Sequence, residues 1–147
     1  MSVPSVVPGW NPLGGARPAT DDEVFELLTA AVFQARFRPA IVEQRWPAIR
    51  HAFGDFDLRA AASWPDVKEA ELLEHAGMIR SPKKIRATLR NARELVTRSE
   101  RHGSTVAYLA SFSDEEALVR DVDEWAHYIG APSIRWFVRA ASGQRSG

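Results

Sequence analysis

The sequence predicts an all-α fold, arranged as a single helical domain. Three observations carry that reading. Apolar residues recur at spacings of three and four through most of the chain, capping residues or helix-starting prolines stand before those stretches, and no stretch alternates with period two over five or more residues. At 147 residues, with 45% hydrophobic and 26% charged side chains, the chain has the size and composition of one globular domain with a sizeable core.

The first 20 residues hold four of the nine prolines and three of the nine glycines, which suits an irregular lead-in. From Asp21 the pattern turns helical: Thr20-Asp21-Asp22-Glu23 supplies a cap and first-turn acids ahead of Val24, Leu27, Leu28 and Ala31. A second helix is expected over 39–53, opened by Pro39 and carrying Ile41, Val42, Trp46, Ile49 and Phe53. Shorter helices are expected over 57–63 and 66–75, after which Gly77 stops the chain, because a residue without Cβ tolerates the left-handed conformation. Ser81-Pro82 opens the clearest helix, with Ile85, Leu89, Ala92 and Val96 on one stripe and Lys83, Arg86, Arg90 and Arg93 on another. Ser113-Asp114-Glu115-Glu116 reads as a capping box for a helix through Leu118, Val122 and Trp125, ending near Tyr128 or Ile129. After Gly130-Ala131-Pro132 a last helix runs through Ile134, Trp136, Phe137 and Val138. The domain proper is therefore expected over 21–143, with a lead-in over 1–20 and a tail over 144–147.

The formal charge is zero, yet this is a cancellation. Residues 77–102 hold eight cations against two carboxylates, a net of +6, and residues 103–127 hold one against six, a net of −5. Neutrality thus does not exclude a polyanionic partner. The absence of cysteine excludes a disulfide framework, a thiol nucleophile and cysteine-ligated metal. None of the four histidines lies within five residues of another, and no phosphate-binding loop, serine elbow or dinucleotide fingerprint occurs, so no metal and no cofactor are expected. His102, just before Gly103, is placed to cap a helix end, and His51 and His75 are expected on the surface. No apolar run approaches the about 20 residues that span a bilayer. No basic segment followed by an apolar one marks a secretory signal, so a cytoplasmic, monomeric protein is expected.

Two features bear on function. The turn at Gly130-Ala131-Pro132-Ser133 joins two amphipathic helices so tightly that the second helix's first N–H groups come together. It is either an ordinary interhelical corner or a helix-hairpin-helix that grips a phosphate without reading sequence. Of the five tryptophans, Trp46, Trp125 and Trp136 fall on apolar stripes. Trp10, in the irregular lead-in, would either plug the core or line a pocket where a flat ligand stacks.

Residues 21–143 resemble the DNA-3-methyladenine glycosylase I family of the helix-hairpin-helix glycosylase superfamily. The matching stretches are DDEVFELL (21–28), Gln34-Ala35, RHAFGDFD (50–57), HAGMIRSPKKIRATLRNAR (75–93) and YIGAPSIRWFVRAASG (128–143). The resemblance implies an all-α DNA glycosylase acting in base excision repair: it would bind alkylated double-stranded DNA and excise a 3-methyladenine-type purine by base flipping. It places Trp10, Gln34 and Phe37 at the base pocket. Gly130, Ala131, Ser133, Lys83, Lys84 and Arg86 would face DNA. The chain departs from the family in two respects. Ala31 stands where the family has the base-recognising Glu, and Pro39 where it has a pocket Trp. The family's zinc site lacks its cysteines, with Pro8 at the first ligand position, so a zinc-free protein is expected. Glu26 and Asp57 occur at matching family positions and read as structural. Arg36 and Arg38, beside the altered pocket, disfavour a cationic base and suit an anionic group. The expected activity is that of an atypical glycosylase; the alternative is an inactive relative that holds DNA or a partner.

Overall fold

The computed structural model describes residues 9–142; 1–8, with Pro8, and 143–147, with the last residue of the expected domain and the 144–147 tail, lie outside the described residues. The described residues form eight α-helices and one 3-10 turn, with no strand: α1 (Asp21–Gln34), α2 (Pro39–Ala52), the turn Gly54–Phe56, α3 (Leu58–Ser63), α4 (Lys68–Glu74), α5 (Pro82–His102), α6 (Thr105–Ala110), α7 (Glu115–Trp125) and α8 (Ala131–Ser142).

α1 is apolar on every side from Val24 to Phe33, and such a helix is stable only when surrounded. α5, α8 and α2 pack around it. Its two polar insertions are satisfied: Thr29 Oγ1 donates to Phe25 O at 2.8 Å, and Glu26, 6% exposed, accepts from Trp46 Nε1 at 2.8 Å and Arg50 Nη1 at 2.6 Å. Glu26 is thus structural, as its position suggested. Trp46 stacks on Phe56, and Phe56 on Phe53, which extends the core under the 3-10 turn.

α5 is the spine. Ser81 Oγ accepts from Lys84 N as its N-cap, Pro82 occupies the first turn, and Gly103 (φ 94°) ends it. Asp21, at the start of α1, ties three elements together: it accepts from Ser99 Oγ on α5 at 2.7 Å and from Thr105 N on α6 at 2.8 Å. His102 does not cap α5; its ring packs edge-on against Tyr108 at 5.3 Å.

Three local expectations are corrected. α6 was not anticipated; six residues capped by Ser104 show too little periodicity to announce a helix. The N-cap of α7 is Asp114, whose carboxylate accepts from Ala117 N, and not Ser113. α7 also ends at Trp125, about a turn early, because buried Asn91 of α5 accepts from His127 N at 2.7 Å and donates to His127 O at 3.4 Å. That capture pulls the chain out of helical register and leaves Tyr128 at φ 56°.

A cationic cleft at the hairpin

The segment 126–130 and the start of α8 form a tight hairpin against α7. Its tip is exposed at Tyr128, Gly130, Ala131 and Pro132, while Ser133 is buried and Ile134 N donates to Gly130 O at 2.9 Å. The first N–H groups of α8 point off the tip, as helix N-termini require.

Facing the hairpin is a cleft of about 1050 Å³, walled by Ala35, Arg36 and Phe37 after α1, Ile41 and Arg45 on α2, the loop Gly77–Ser81, and Lys84. Gly77 makes the loop's approach possible: at φ 84°, a Cβ there would stand 2.6 Å from Ala48 Cβ on α2. The loop turns Met78 and Ile79 inward and leaves Arg80 exposed. Among the described residues no carboxylate lines the cleft. Among the described residues none pairs with Arg36, Arg45 or Arg80.

Lys84 departs from its expected place. Read as an outward cation beside Lys83, it is only 7% exposed: its Nζ donates to Phe33 O at 2.7 Å and Ala35 O at 3.0 Å and lies 4.8 Å over the Phe37 ring. The physical reason is that α1 ends in orphan carbonyls, and a flexible ammonium one turn into α5 reaches them. Burial lowers its pKa to about 8. Of the other expected DNA-facing cations, Lys83 is exposed and Arg86, also exposed, holds Glu69 at 3.1 Å. Arg90 is exposed on the outer face too, whereas Arg93 turns back to donate to the carbonyl oxygens of Ala62 and Trp64.

The residues expected at the base pocket are not gathered in one place. Ala31 is fully buried. Gln34, 1% exposed, is committed: its Oε1 accepts from Gly9 N and Trp10 N, and its Nε2 donates to Trp10 O and Ala30 O. It staples the lead-in to α1. Trp10, half-buried, sets its ring edge-on to Trp46 at 5.3 Å and borders a second basin of about 720 Å³ on the opposite face of α2, with Glu23, Glu43 and Asp55. Phe37 alone of the three lines the hairpin cleft. Arg45, Arg80 and Tyr128 were not singled out from the sequence. Arg80 stood inside the 75–93 match and the basic segment and Tyr128 opens the 128–143 match, but Arg45 carried no local signal.

The all-helical domain, with a hairpin at the mouth of a cationic cleft, has the fold of helical DNA glycosylases of known structure. The chain belongs to the methyladenine glycosylase family, whose model matches residues 14–132. Among solved structures it is similar to a 3-methyladenine DNA glycosylase I, at 20% identity over 90% of this chain and 89% of that one, with a TM-score of 0.72. It is also similar to the Staphylococcus aureus enzyme whose structure shows 3-methyladenine recognition, at 17% identity over 86% and 79%, with a TM-score of 0.74. A solution structure of 3-methyladenine DNA glycosylase I matches at 22% identity over 85% and 79%, with a TM-score of 0.68. The family is one of N-glycosyl hydrolases. The zinc that the resemblance implies does not fit here: the chain has no cysteine, and among the described residues no three His, Asp or Glu side chains are grouped so that they could hold a metal ion. Among the described residues no helix is long and apolar enough to cross a membrane.

Proposed function

We propose that the protein is a zinc-free DNA N-glycosylase that holds duplex DNA across the hairpin and extrudes an alkylated purine into the cleft between the hairpin and α2. The observation that carries this reading is the cleft itself, with a rim of Arg36, Arg45 and Arg80 that pair with no carboxylate among the described residues, apolar walls from Phe37, Ile41 and Met78, and the tip of α8 opposite. Cations and helix N–H groups suit phosphates, which fix the register of the duplex. Apolar walls suit a flat base removed from its stack. Lys83, on the outer face of α5, extends the phosphate track. The protein acts as a monomer in the cytoplasm, where such a substrate would be met.

The fully buried Ala31 and the lack of a carboxylate on the cleft favour a second reading, a non-catalytic relative that binds DNA only. One experiment separates the two. Purified protein is incubated with alkylated duplex DNA and released bases are resolved by chromatography, alongside a binding titration at low salt. Release faster than in buffer supports the enzyme; binding without release selects the second reading; neither rejects both.

A further inference from the structure

We propose that the cleft is built for an alkylated purine that carries no positive charge, an O-alkylated base in preference to a ring-N-alkylated cation, and that Lys84 supplies the proton its departure needs. This rests on the glycosylase reading above.

The first support is charge. Arg36, Arg45, Arg80 and Lys84 all line the cleft and, among the described residues, no carboxylate does, so a cationic base entering it meets like charge. A neutral purine with ring nitrogens and an exocyclic oxygen presents acceptors to the same groups. The second is chemistry. A cationic purine leaves its sugar readily, because the electron pair of the breaking bond neutralises it. A neutral purine is a poor leaving group unless protonated, so a site that takes one needs an acid.

Lys84 has the geometry for that acid. An ammonium carries three N–H groups; two are directed at Phe33 O and Ala35 O, and among the described residues Nζ makes no further hydrogen bond where the side chain lines the cleft beside the Phe37 ring. After the proton leaves, the amine retains two N–H groups for the same two carbonyls, so proton transfer does not undo the clamp. The desolvation that lowers its pKa to about 8 makes it a better proton donor than a solvated lysine, while keeping most of it charged at neutral pH. In the step, an Nζ proton passes to a ring nitrogen of the base. The C1′–N9 bond breaks with its electron pair staying on the base, water adds through oxygen to C1′, and the proton that water sheds returns to the amine. The other charged or titratable groups on the cleft are Arg36, Arg45, Arg80 and Tyr128.

The test uses two duplexes of one sequence, one bearing a single O6-methylguanine and one a single 7-methylguanine, with release measured in single turnover relative to each lesion's own rate in buffer. The expected result is at least about tenfold greater acceleration for O6-methylguanine, falling about tenfold per pH unit above about pH 8. Lys84→Met, checked for native helicity, should remove that acceleration and leave duplex affinity within a few-fold; should the variant not fold, the wild-type pH profile decides. Acceleration of 7-methylguanine alone overturns the inference while the glycosylase reading stands. Acceleration of O6-methylguanine that is flat between about pH 6.5 and 9.5 overturns the role of Lys84. Tight binding without acceleration of either lesion overturns the inference, and base release from methylated duplex containing 3-methyladenine then decides the glycosylase reading separately.

Discussion

Lys84 shows how one side chain can serve both packing and chemistry. It closes the carbonyl end of α1 from 51 residues away in sequence, at the cost of leaving water. Because its pKa is lowered to about 8, the folded protein holds this proton less tightly than the unfolded chain. Between about pH 8 and the ordinary lysine value the unfolded state therefore binds more protons, and stability from this group rises with pH, by about 3 kcal/mol at most. Urea unfolding of wild type and Lys84→Met should show the difference growing in favour of wild type between about pH 7.5 and about pH 9.5. A difference that does not change with pH would mean the amine is solvated. Reversal of Lys84 to Glu would place a carboxylate against Phe33 O and Ala35 O, so only Lys83 can be reversed as a surface test of DNA binding.

At the scale of elements, the structure is held by side chains that bind another element's backbone. Asp21 is the clearest case. Burial works to raise its pKa, but hydrogen bonds from Thr105, Ser99 and Arg59 outweigh this and hold it below the usual carboxylate value. Its contribution is thus present above about pH 4 and is lost as pH falls below that. Asp21→Asn keeps the shape but removes the charge that these donors share, and should cost about 1–3 kcal/mol in chemical unfolding at neutral pH. The variant's stability should also fall less steeply on acidification; an unchanged acid limb would show that the clasp lies elsewhere. The loop before α5 has a different constraint. A Cβ at Gly77 would press to 2.6 Å on Ala48 Cβ in a backbone conformation that L-residues avoid. Gly77→Ala should destabilise the fold by about 1–3 kcal/mol and, by moving Arg80 off the cleft, weaken DNA binding more than the stability loss explains. Calorimetry paired with a binding titration at a temperature where the variant is fully folded would separate the two effects.

For the whole molecule, a formal charge of zero coexists with a concentrated cationic face. Arg36, Arg45 and Arg80 come from three separate segments and converge at one cleft, while the acids of α7 engage elsewhere, Glu115 with Arg139 and Glu116 with Arg135. Affinity for undamaged duplex should therefore fall steeply and linearly on a log–log plot against salt. Each replacement of Arg36, Arg45 or Arg80 by Gln should reduce the slope by about one wherever that side chain neutralises a phosphate. A slope near zero in wild type would remove DNA from the model of this face.

The amino-acid sequence by itself determined where most helices begin, which stripe of each is apolar, that Gly130-Ala131-Pro132 turns a corner, and that cations crowd 77–102. These follow from caps, proline geometry and a short period, all of which act within a few residues. The all-α class and the family were legible for the same reason, since the matching stretches are local. What only the tertiary structure decided is where side chains find partners across the fold: Lys84 turned inward to α1, Gln34 committed to the lead-in, Asn91 ending α7 early, and Trp10 set against Trp46 on the far side of α2 from the cleft. An orphan carbonyl or a buried N–H must be satisfied by whatever group packing brings near, and sequence periodicity does not encode which group that is. The cleft is of that kind, because it is assembled from three loops and three helices that are neighbours only once the core has formed.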